Sequence, residues 1–288
     1  MWTERGEPVE SDRLNDVKKG LIMHVEEVAP DILVCVGKTF GSNSTVFING
    51  EDVLLVDALA SRADAEDLRR FVETELGKTV RFIISTHYFS DHIAGLKLFP
   101  QSQIIAHRNY SHTFYNEKFR TDEEMGHFVE PTIMIQDGLL MKWGHYTLDL
   151  FHNPGHTMST INVDVPEADL LMVGDTMVGN MVYLAYSTPE IFKHALARLR
   201  RRGRSRVIEG HQGTRSASAI TSAAFYLSKL EEKVRAARAE DAQQPLVDEA
   251  ILGIELRNCL PADVQGTDFE DIYHKRNLDS IVERKLFA

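Results

Sequence analysis

The sequence predicts an α/β protein in which helices cover sheets. Short β-branched runs bounded by turn residues begin near residue 32, and segments with a helical pattern separate them. After Ser216 the pattern changes and three helical segments follow one another. Two strand-rich halves with helices between them fit packed layers of sheet and helix. These patterns alone do not select one particular fold.

The first half alternates predicted strands with predicted helices. The predicted strands are Ile32–Val36, Ser44–Ile48, Val53–Val56, Val80–Ser85 and Gln103–Ala106. The predicted helices are Ala63–Leu76, which Gly77 ends, and Ala94–Phe99. Residues 108–128 contain aromatic and charged side chains without a clean period, so we expect loop and helix there, near the mouth of a site.

The second half repeats this arrangement and then becomes helical. Its predicted strands are Leu139–Trp143, Tyr146–Phe151, Thr160–Val165, Leu170–Val173 and Val207–Glu209, with a helix at Pro189–Arg202. The predicted tail helices are Ala217–Arg238, Leu246–Arg257 and Phe269–Arg284. We therefore expect an N-terminal segment at 1–29, a catalytic domain at 30–215, and a helical extension at 216–288. The extension lacks metal-ligand spacing of its own, so we expect it to pack on the core and cover the site.

Composition narrows the classes of function. The chain has 288 residues and a formal net charge of −11, which disfavours nucleic acid because phosphate contacts need clustered Lys and Arg. The arginines between residues 198 and 206 fit a solvated helix end better than a site for phosphate or for an acidic partner. No apolar run reaches the roughly 20 residues that span a bilayer, so no membrane partner is expected. The start of the chain lacks the apolar stretch of an export signal.

These features predict a cytoplasmic protein that acts on a small molecule. Its two cysteines, Cys35 and Cys259, are too few for a disulfide framework and are expected to be reduced. A monomer and a homo-oligomer are both compatible with the sequence.

Four loops that follow predicted strands carry side chains able to bind a metal ion. They are THYFSDH at residues 86–92, NPGHT at 153–157, GDT at 174–176 and GHQG at 210–213. Imidazole and carboxylate groups together suit zinc, iron or manganese. Loops at strand ends hold such ligands in fixed positions on a rigid scaffold. We therefore expect a metal centre built from these loops.

The order and spacing of the four segments resemble the metallo-β-lactamase superfamily. The family pattern is His-x-His-x-Asp-His, then Pro-Gly-His-Thr, then Gly-Asp, then a final Gly-His. The resemblance covers roughly residues 30–215 and implies a four-layer αββα sandwich with the metal site at one edge of the two sheets. The segment GSNST at 41–45 resembles the opening strand region of the family. Asp57 resembles an aspartate that supports the metal loop without binding metal.

The resemblance also implies a set of ligands. A first ion would take His87, residue 89 and His156. A second ion would take Asp91, His92 and His211, with Asp175 bridging the two. Zinc, as one or two ions, is the expected cofactor, and iron or manganese are alternatives. His152 is expected to support the site or to replace a missing ligand, and Tyr183 and Tyr186 to line the substrate cleft or to pack in the core.

One departure from the family pattern bears on the metal. Phe89 stands where the second histidine is expected, and phenylalanine cannot bind a metal ion. One outcome is a single ion at the intact set, because three protein ligands and a water make a competent zinc site. Another is a face of two histidines and one carboxylate formed by His87, His156 and Asp175. That face is typical of non-haem Fe(II) oxygenases, and it resembles the persulfide dioxygenase branch of the superfamily.

The expected activity is that of a metal-dependent hydrolase. A metal-bound hydroxide, formed because the ion lowers the pKa of its water to about 7, would attack an ester, thioester, lactone or amide. Asp91 would orient the water and accept its proton. The alternatives are an Fe(II) oxygenase and a non-catalytic binding protein with a residual metal site.

Overall fold

A computed structural model describes residues 23–118, 120–239 and 243–288 of the chain. Most of the expected N-terminal segment lies outside these ranges, as does the stretch that is expected to lack an export signal. Within them two sheets pack face to face, and helices cover the outer surface of each. The predicted α/β class and the αββα layering are confirmed.

The first sheet is formed by the first half of the chain. Its strands are β1 (His24–Ala29), β2 (Ile32–Val36), β3 (Asn43–Asn49), β4 (Asp52–Val56), β5 (Thr79–Ile84), β6 (Gln103–His107) and β7 (Ile133–Ile135). Their spatial order follows the chain, antiparallel from β1 to β4 and parallel from β4 to β7. The two edge strands, β1 and β7, were not predicted, and β1 places the start of the sheet before residue 30.

The second sheet is formed by the second half. Its strands are β8 (Gly138–Trp143), β9 (Tyr146–His152), β10 (Ile161–Val165), β11 (Leu170–Gly174), β12 (Arg206–Glu209) and β13 (Thr214–Ser216). They lie in reverse order across the sheet, and only the β11–β12 pair is parallel among the described strands. A parallel pair requires a crossover, which the helix between these strands provides.

Eight α-helices are present among the described residues. They are α1 (Arg62–Arg69), α2 (Ser90–Ile93), α3 (Tyr110–Asn116), α4 (Asp122–Met125), α5 (Pro189–Arg202), α6 (Ser218–Ala239), α7 (Gln244–Leu252) and α8 (Asp268–Arg284). The first continues as a π-helical segment, Arg70–Glu75, and short 3₁₀ turns occupy Leu96–Leu98, Pro166–Ala168, Leu184–Tyr186 and Leu256–Asn258. No described helix is long and apolar enough to cross a membrane.

The alternation of apolar side chains along the strands builds the layers. In β2, Ile32 and Val34 pack between the two sheets, whereas Leu33 and Cys35 pack against the helices on the outer face. Because every one of these side chains is fully buried, each aliphatic one stabilises the fold by roughly 1.5–3 kcal/mol. The sheets therefore form a rigid frame for the loops at their edges.

The C-terminal helices pack on the outer face of the second sheet. One continuous apolar cluster contains Leu171 and Val207 of the sheet together with Tyr226 of α6 and Ile281 of α8. The hydroxyl of Tyr226 lies 2.9 Å from Nδ1 of His274, whose Nε2 lies 2.8 Å from the carbonyl oxygen of Ile254. The extension and the second sheet thus share a core.

Candidate metal centre

The four predicted loops converge at one edge of the two sheets. Strands β5, β9, β11 and β12 end immediately before the segments 85–92, 153–156, 175 and 210–211. These strand ends lie at one edge of the sheets, because side chains from the loops that follow them come together there. Two groups of side chains result whose ligand atoms lie within 4.8 Å of one another, and Asp175 belongs to both.

The first group, the four-ligand cluster, consists of Asp91, His92, Asp175 and His211. Asp175 lies between two imidazoles: its Oδ1 is 3.3 Å from Nε2 of His92 and its Oδ2 is 3.3 Å from Nε2 of His211. Asp91 approaches the same two nitrogens at 3.6 Å. The histidines are buried and Asp91 is partly exposed. Nitrogen and oxygen donors therefore face a common point that solvent reaches beside Asp91.

The second group, the three-ligand cluster, consists of His87, His156 and Asp175. The ring of His87 lies 5.0 Å from the ring of His156 and 4.3 Å from that of His92. Nε2 of His156 is 4.0 Å from Oδ2 of Asp175. The two clusters are thus adjacent and share one carboxylate.

Several ligand atoms lack hydrogen-bond partners among the described residues. These atoms are buried and accept or donate no hydrogen bond within the described residues: Nε2 of His87, both ring nitrogens of His92 and of His156, and Oδ1 of Asp175. Buried polar atoms are nearly always satisfied. A cation bound among them would satisfy these atoms, and imidazole with carboxylate is a donor set that zinc, iron and manganese accept. The residues present therefore fit a metal ion.

The electrostatics of the four-ligand cluster centre on Asp175. Burial acts to raise the pKa of its carboxyl, but His211 and His92 outweigh burial and hold that pKa well below its ordinary value. Burial likewise acts to lower the pKa of His92, and the charges of Asp175 and Asp91 raise it well above the ordinary value. The carboxylates and imidazoles of this cluster therefore stabilise each other's charged forms.

The histidines of the three-ligand cluster behave differently. Burial, and then the neighbouring His92, lower the pKa of His87 well below its ordinary value. Burial also lowers the pKa of His156. Both rings are therefore neutral near pH 7, the form in which imidazole binds a metal ion.

Groups behind the ligands fix their orientation. Nδ1 of His211 lies 3.1 Å from the carbonyl oxygen of Phe40 and donates to it, which leaves Nε2 facing the cluster. Asp57 accepts hydrogen bonds at 2.7 Å from both the backbone N–H and the hydroxyl of Thr86, and its Oδ2 is 3.3 Å from Nδ1 of His92. Asp57 belongs to neither cluster. Its position is that of a residue that supports the loop.

Phe89 occupies the space beside the three-ligand cluster. Its ring centroid lies 5.2 Å from that of His87 and 5.1 Å from that of His156, in edge-to-face contact with both. The side chain is buried. An apolar ring therefore packs against both histidines of the three-ligand cluster.

The remaining predicted residues separate into two groups. His152 lies outside both clusters: its ring stacks on His107 at 3.9 Å and its Nε2 is 2.9 Å from the carbonyl oxygen of Met158. Tyr183 and Tyr186 lie at the site and are half-buried. The ring of Tyr186 is 4.6 Å from Phe89, and that of Tyr183 stacks on His156 at 6.0 Å.

Sequence reasoning did not identify several residues at the site. Phe269 and Tyr273 of α8 reach it, with Phe269 5.6 Å from the ring of His211 and Tyr273 5.0 Å from that of Tyr183. Glu117 binds the loop next to Asp91. Helical periodicity shows which side chains share a face but not what that face contacts, so no sequence signal pointed to them.

Gly210 lets the backbone pass close to the ligands. A Cβ atom at this position would lie 1.8 Å from Oδ1 of Asp175 and 2.7 Å from Cε1 of His92. We expect Gly210→Ala to displace both ligands and to weaken metal affinity about 10- to 100-fold, the usual range for changes that disturb ligand orientation. The measurement is competition with a chromophoric chelator. Gly253→Ala, where the nearest atom lies at 3.4 Å, is the control; equal affinities for the two variants would contradict the prediction.

Glu117 anchors the metal loop and predicts a pH dependence of stability. It accepts hydrogen bonds from the backbone N–H of Ser90 at 2.9 Å and from its hydroxyl at 2.7 Å. Burial raises the pKa of Glu117 from 4.5 to about 7, against the lowering effect of these bonds. The folded state therefore favours the protonated carboxyl, and this contribution to the free energy of unfolding declines as pH rises from about 4.5 to about 7.

In Glu117→Gln the fall in the free energy of unfolding with rising pH should be smaller by roughly 1–3 kcal/mol, because the amide does not ionise. Urea unfolding of the metal-free protein at pH 5 and pH 8 measures the difference. Glu66→Gln, at an exposed position on α1, serves as the control. If Glu117→Gln and the unsubstituted chain respond equally to pH, the carboxyl of Glu117 does not titrate as described.

The fold and the two clusters define an αββα protein with a candidate metal centre at one edge of its sheets. The chain belongs to the metallo-β-lactamase superfamily, whose family model matches residues 37–211. Solved structures agree on the fold. A metallo-β-lactamase from Pontibacter korlensis is 17% identical with a TM-score of 0.61, covering 72% of this chain and 99% of that one. One from Erythrobacter litoralis is 16% identical with a TM-score of 0.56, covering 70% and 94%.

Curated relatives match this chain over only part of their length, and they have three different names. An atrochrysone carboxyl ACP thioesterase of Pseudocercospora fijiensis is 22% identical over 54% of this chain and 45% of its own. A hydroxyacylglutathione hydrolase of Thermosynechococcus vestitus is 30% identical over 36% and 38%. A type 2 metallo-β-lactamase of Bacillus cereus is 27% identical over 48% and 52%. The chain spans about half, or less, of the length of these relatives.

Proposed function

We propose that this chain is a metal-dependent hydrolase that acts on a small carbonyl substrate, an ester, thioester, lactone or amide. The observation that carries the proposal is the four-ligand cluster, whose ligand atoms lie within 4.8 Å of one another and in which Nε2 of His92 and Oδ1 of Asp175 are buried without a hydrogen-bond partner among the described residues. The names of the relatives, a thioesterase and a hydrolase among them, support the same class of reaction. Zinc is the proposed ion, and iron or manganese are the alternatives.

Asp91, His92, Asp175 and His211 would hold the principal ion. When bound, it would acidify a water molecule and polarise the substrate carbonyl. Asp91 is the ligand with a solvent-facing carboxylate, so its Oδ atom would orient the water and take its proton. The water oxygen bonds to the acyl carbon, the bond to the leaving group breaks, and the proton passes to the leaving group. Asp57 and Phe40 would keep His92 and His211 in place during these steps.

The three-ligand cluster supports a second candidate, a non-haem Fe(II) oxygenase. His87, His156 and Asp175 form the two-histidine, one-carboxylate face typical of that class. Phe89 leaves this face intact, since it takes no ligand from it. The two candidates differ in their metal and in their need for O₂.

The test begins with elemental analysis of protein purified without added metal, followed by a panel of ester, thioester and lactone substrates with and without O₂. The proposal predicts close to one tightly held equivalent after dialysis and turnover that does not depend on O₂. An iron-containing protein that consumes O₂ and stops under anaerobic conditions would favour the oxygenase. Bound metal without either activity would favour a binding protein.

Two matched histidine variants connect the activity to the cluster. His211→Ala removes a ligand, and we expect kcat/KM to fall at least about 100-fold because metal polarisation is worth several kcal/mol. His152→Ala removes a histidine that lies nearby but outside both clusters, and its kcat/KM should stay within about threefold of the original. Equal losses in the two variants would refute the proposed site.

A further inference from the structure

An arc of aromatic rings lies beside the metal centre. The aromatic arc consists of Tyr183, Tyr186, Phe269 and Tyr273. It begins at His156, on which Tyr183 stacks at 6.0 Å, and it ends at His211, which Phe269 approaches at 5.6 Å. Tyr273 lies 5.0 Å from Tyr183 and 4.9 Å from Phe269, so the rings form a continuous wall.

The rings of the arc come from two parts of the chain, the segment that contains Tyr183 and Tyr186 and helix α8. Polar contacts hold these two parts together. The side-chain oxygen of Asn277 in α8 accepts from the backbone N–H of Leu184 at 2.7 Å, and its amide donates to the carbonyl of Val182 at 2.7 Å. Arg284 donates to the carbonyl of Ser187 at 2.8 Å. Helix α8 is therefore fixed against the segment that carries Tyr183 and Tyr186.

The arc faces the ligands. All four residues are half-buried, which leaves part of each side chain open to solvent. Burial raises the pKa of Tyr273, and the negative charges of Asp91 and Asp175 raise it further.

Arg276 lies at the rim of the arc, one helical turn beyond Tyr273. Its guanidinium carbon is 5.2 Å from the centre of the Tyr273 ring. Burial raises the pKa of Tyr183, and the charge of Arg276 and a hydrogen bond with it act to lower that pKa. Arg276 forms no ion pair with a carboxylate of the described residues, and its side chain is exposed. Its neighbour Lys275 pairs with Asp271 at 2.6 Å. Arg276 therefore has donors available for a ligand.

We propose that the aromatic arc and Arg276 select a substrate with a planar aromatic ring that carries a carboxylate. A flat ring gains offset or edge-to-face contacts with the tyrosines and Phe269. A carboxylate on that ring can receive two parallel hydrogen bonds from the guanidinium, which stacking on Tyr273 already orients. This inference rests on the proposed function, since it assigns the substrate class of the same site.

The experiment measures binding, so it is independent of turnover. The probes are naphthalene-2-carboxylate and the neutral naphthalene-2-carboxamide, titrated calorimetrically into metal-free and zinc-loaded full-length protein. The carboxylate should bind at least tenfold more tightly than the amide in both forms. Arg276→Ala should abolish this preference, whereas Lys275→Ala should retain it. Tyr273→Leu should weaken both probes about five- to tenfold.

Each contrary result is distinct. A preference that survives in Arg276→Ala, or that is lost equally in Lys275→Ala, overturns the role of Arg276. If the carboxylate probe binds more tightly than the amide only in the zinc-loaded protein, the carboxylate binds the ion, and the role of Arg276 is again overturned. Unchanged binding of both probes to Tyr273→Leu overturns the role of the arc. If binding follows the proposal but no ester or thioester is hydrolysed, the hydrolase proposal fails while the binding surface stands.

Discussion

Alanine in place of Asp175 is expected to remove metal binding at both clusters and to lower kcat/KM by about 1,000-fold or more. Asp175 is the carboxylate that the two clusters share. A bound metal contributes several kcal/mol of transition-state stabilisation, and each ~1.4 kcal/mol is tenfold in rate. The measurements are metal content after dialysis and steady-state rates on the most reactive ester of the panel.

A thermal measurement separates this loss from simple unfolding. A ligand that binds the folded state raises Tm, so zinc should stabilise the original chain but leave Tm of Asp175→Ala unchanged. Asp149→Ala, which removes a carboxylate that pairs with Arg202 away from both clusters, should keep the zinc-dependent rise. A zinc-dependent rise of equal size in Asp175→Ala would show that the ion binds elsewhere.

Phe89→His is expected to raise the metal content from about one to about two equivalents. Its ring lies 5.2 Å from that of His87 and 5.1 Å from that of His156, so an imidazole there can turn a nitrogen toward the three-ligand cluster. Three histidines and the shared carboxylate would then hold a second ion beside the first. Elemental analysis after dialysis, with zinc in excess before it, measures the change.

The control for this substitution is Phe89→Leu, which removes the aromatic ring but adds no ligand and should keep about one equivalent. Two equivalents in the unsubstituted chain would mean that the three-ligand cluster binds tightly despite Phe89. One equivalent in Phe89→His would mean that the loop cannot direct a nitrogen inward. Either result contradicts the role assigned to Phe89.

The sequence predicted the layers and the loops that carry the ligands. Strand β5 is rich in β-branched residues, and β11 is apolar. Polar loops follow both strands, and their boundaries in the structure lie within one residue of the predicted ones. His87, Asp175 and His211 follow predicted strands, but β5 lies in the first sheet and β11 and β12 lie in the second. The convergence of their loops was therefore implied by the resemblance to the superfamily and not by the strand pattern.

Edge elements and helix faces were harder to predict. Strand β1 contains two glutamates in a six-residue run, and β7 has only three residues, so neither has a strong strand pattern. The predicted helix Leu246–Arg257 instead spans Gln244–Leu252 and ends at Gly253. The contact of Phe269 and Tyr273 with the metal centre depends on how α8 rotates and packs, which tertiary contacts decide.

Two carboxylates, one on α8 and one at the end of β12, hold the backbone of the segment that follows Asp175. Oε1 of Glu270 accepts from the backbone N–H of Asn180 at 2.5 Å, while Glu209 beside the cluster accepts from the N–H of Gly179 at 3.0 Å. A tail grafted from another protein would have to supply the same acceptor at the same place, or the segment after Asp175 would shift. The position of α8 and that of the segment after Asp175 are therefore coupled, so a single replacement on the surface of α8 should disturb the metal centre less than exchange of the whole extension.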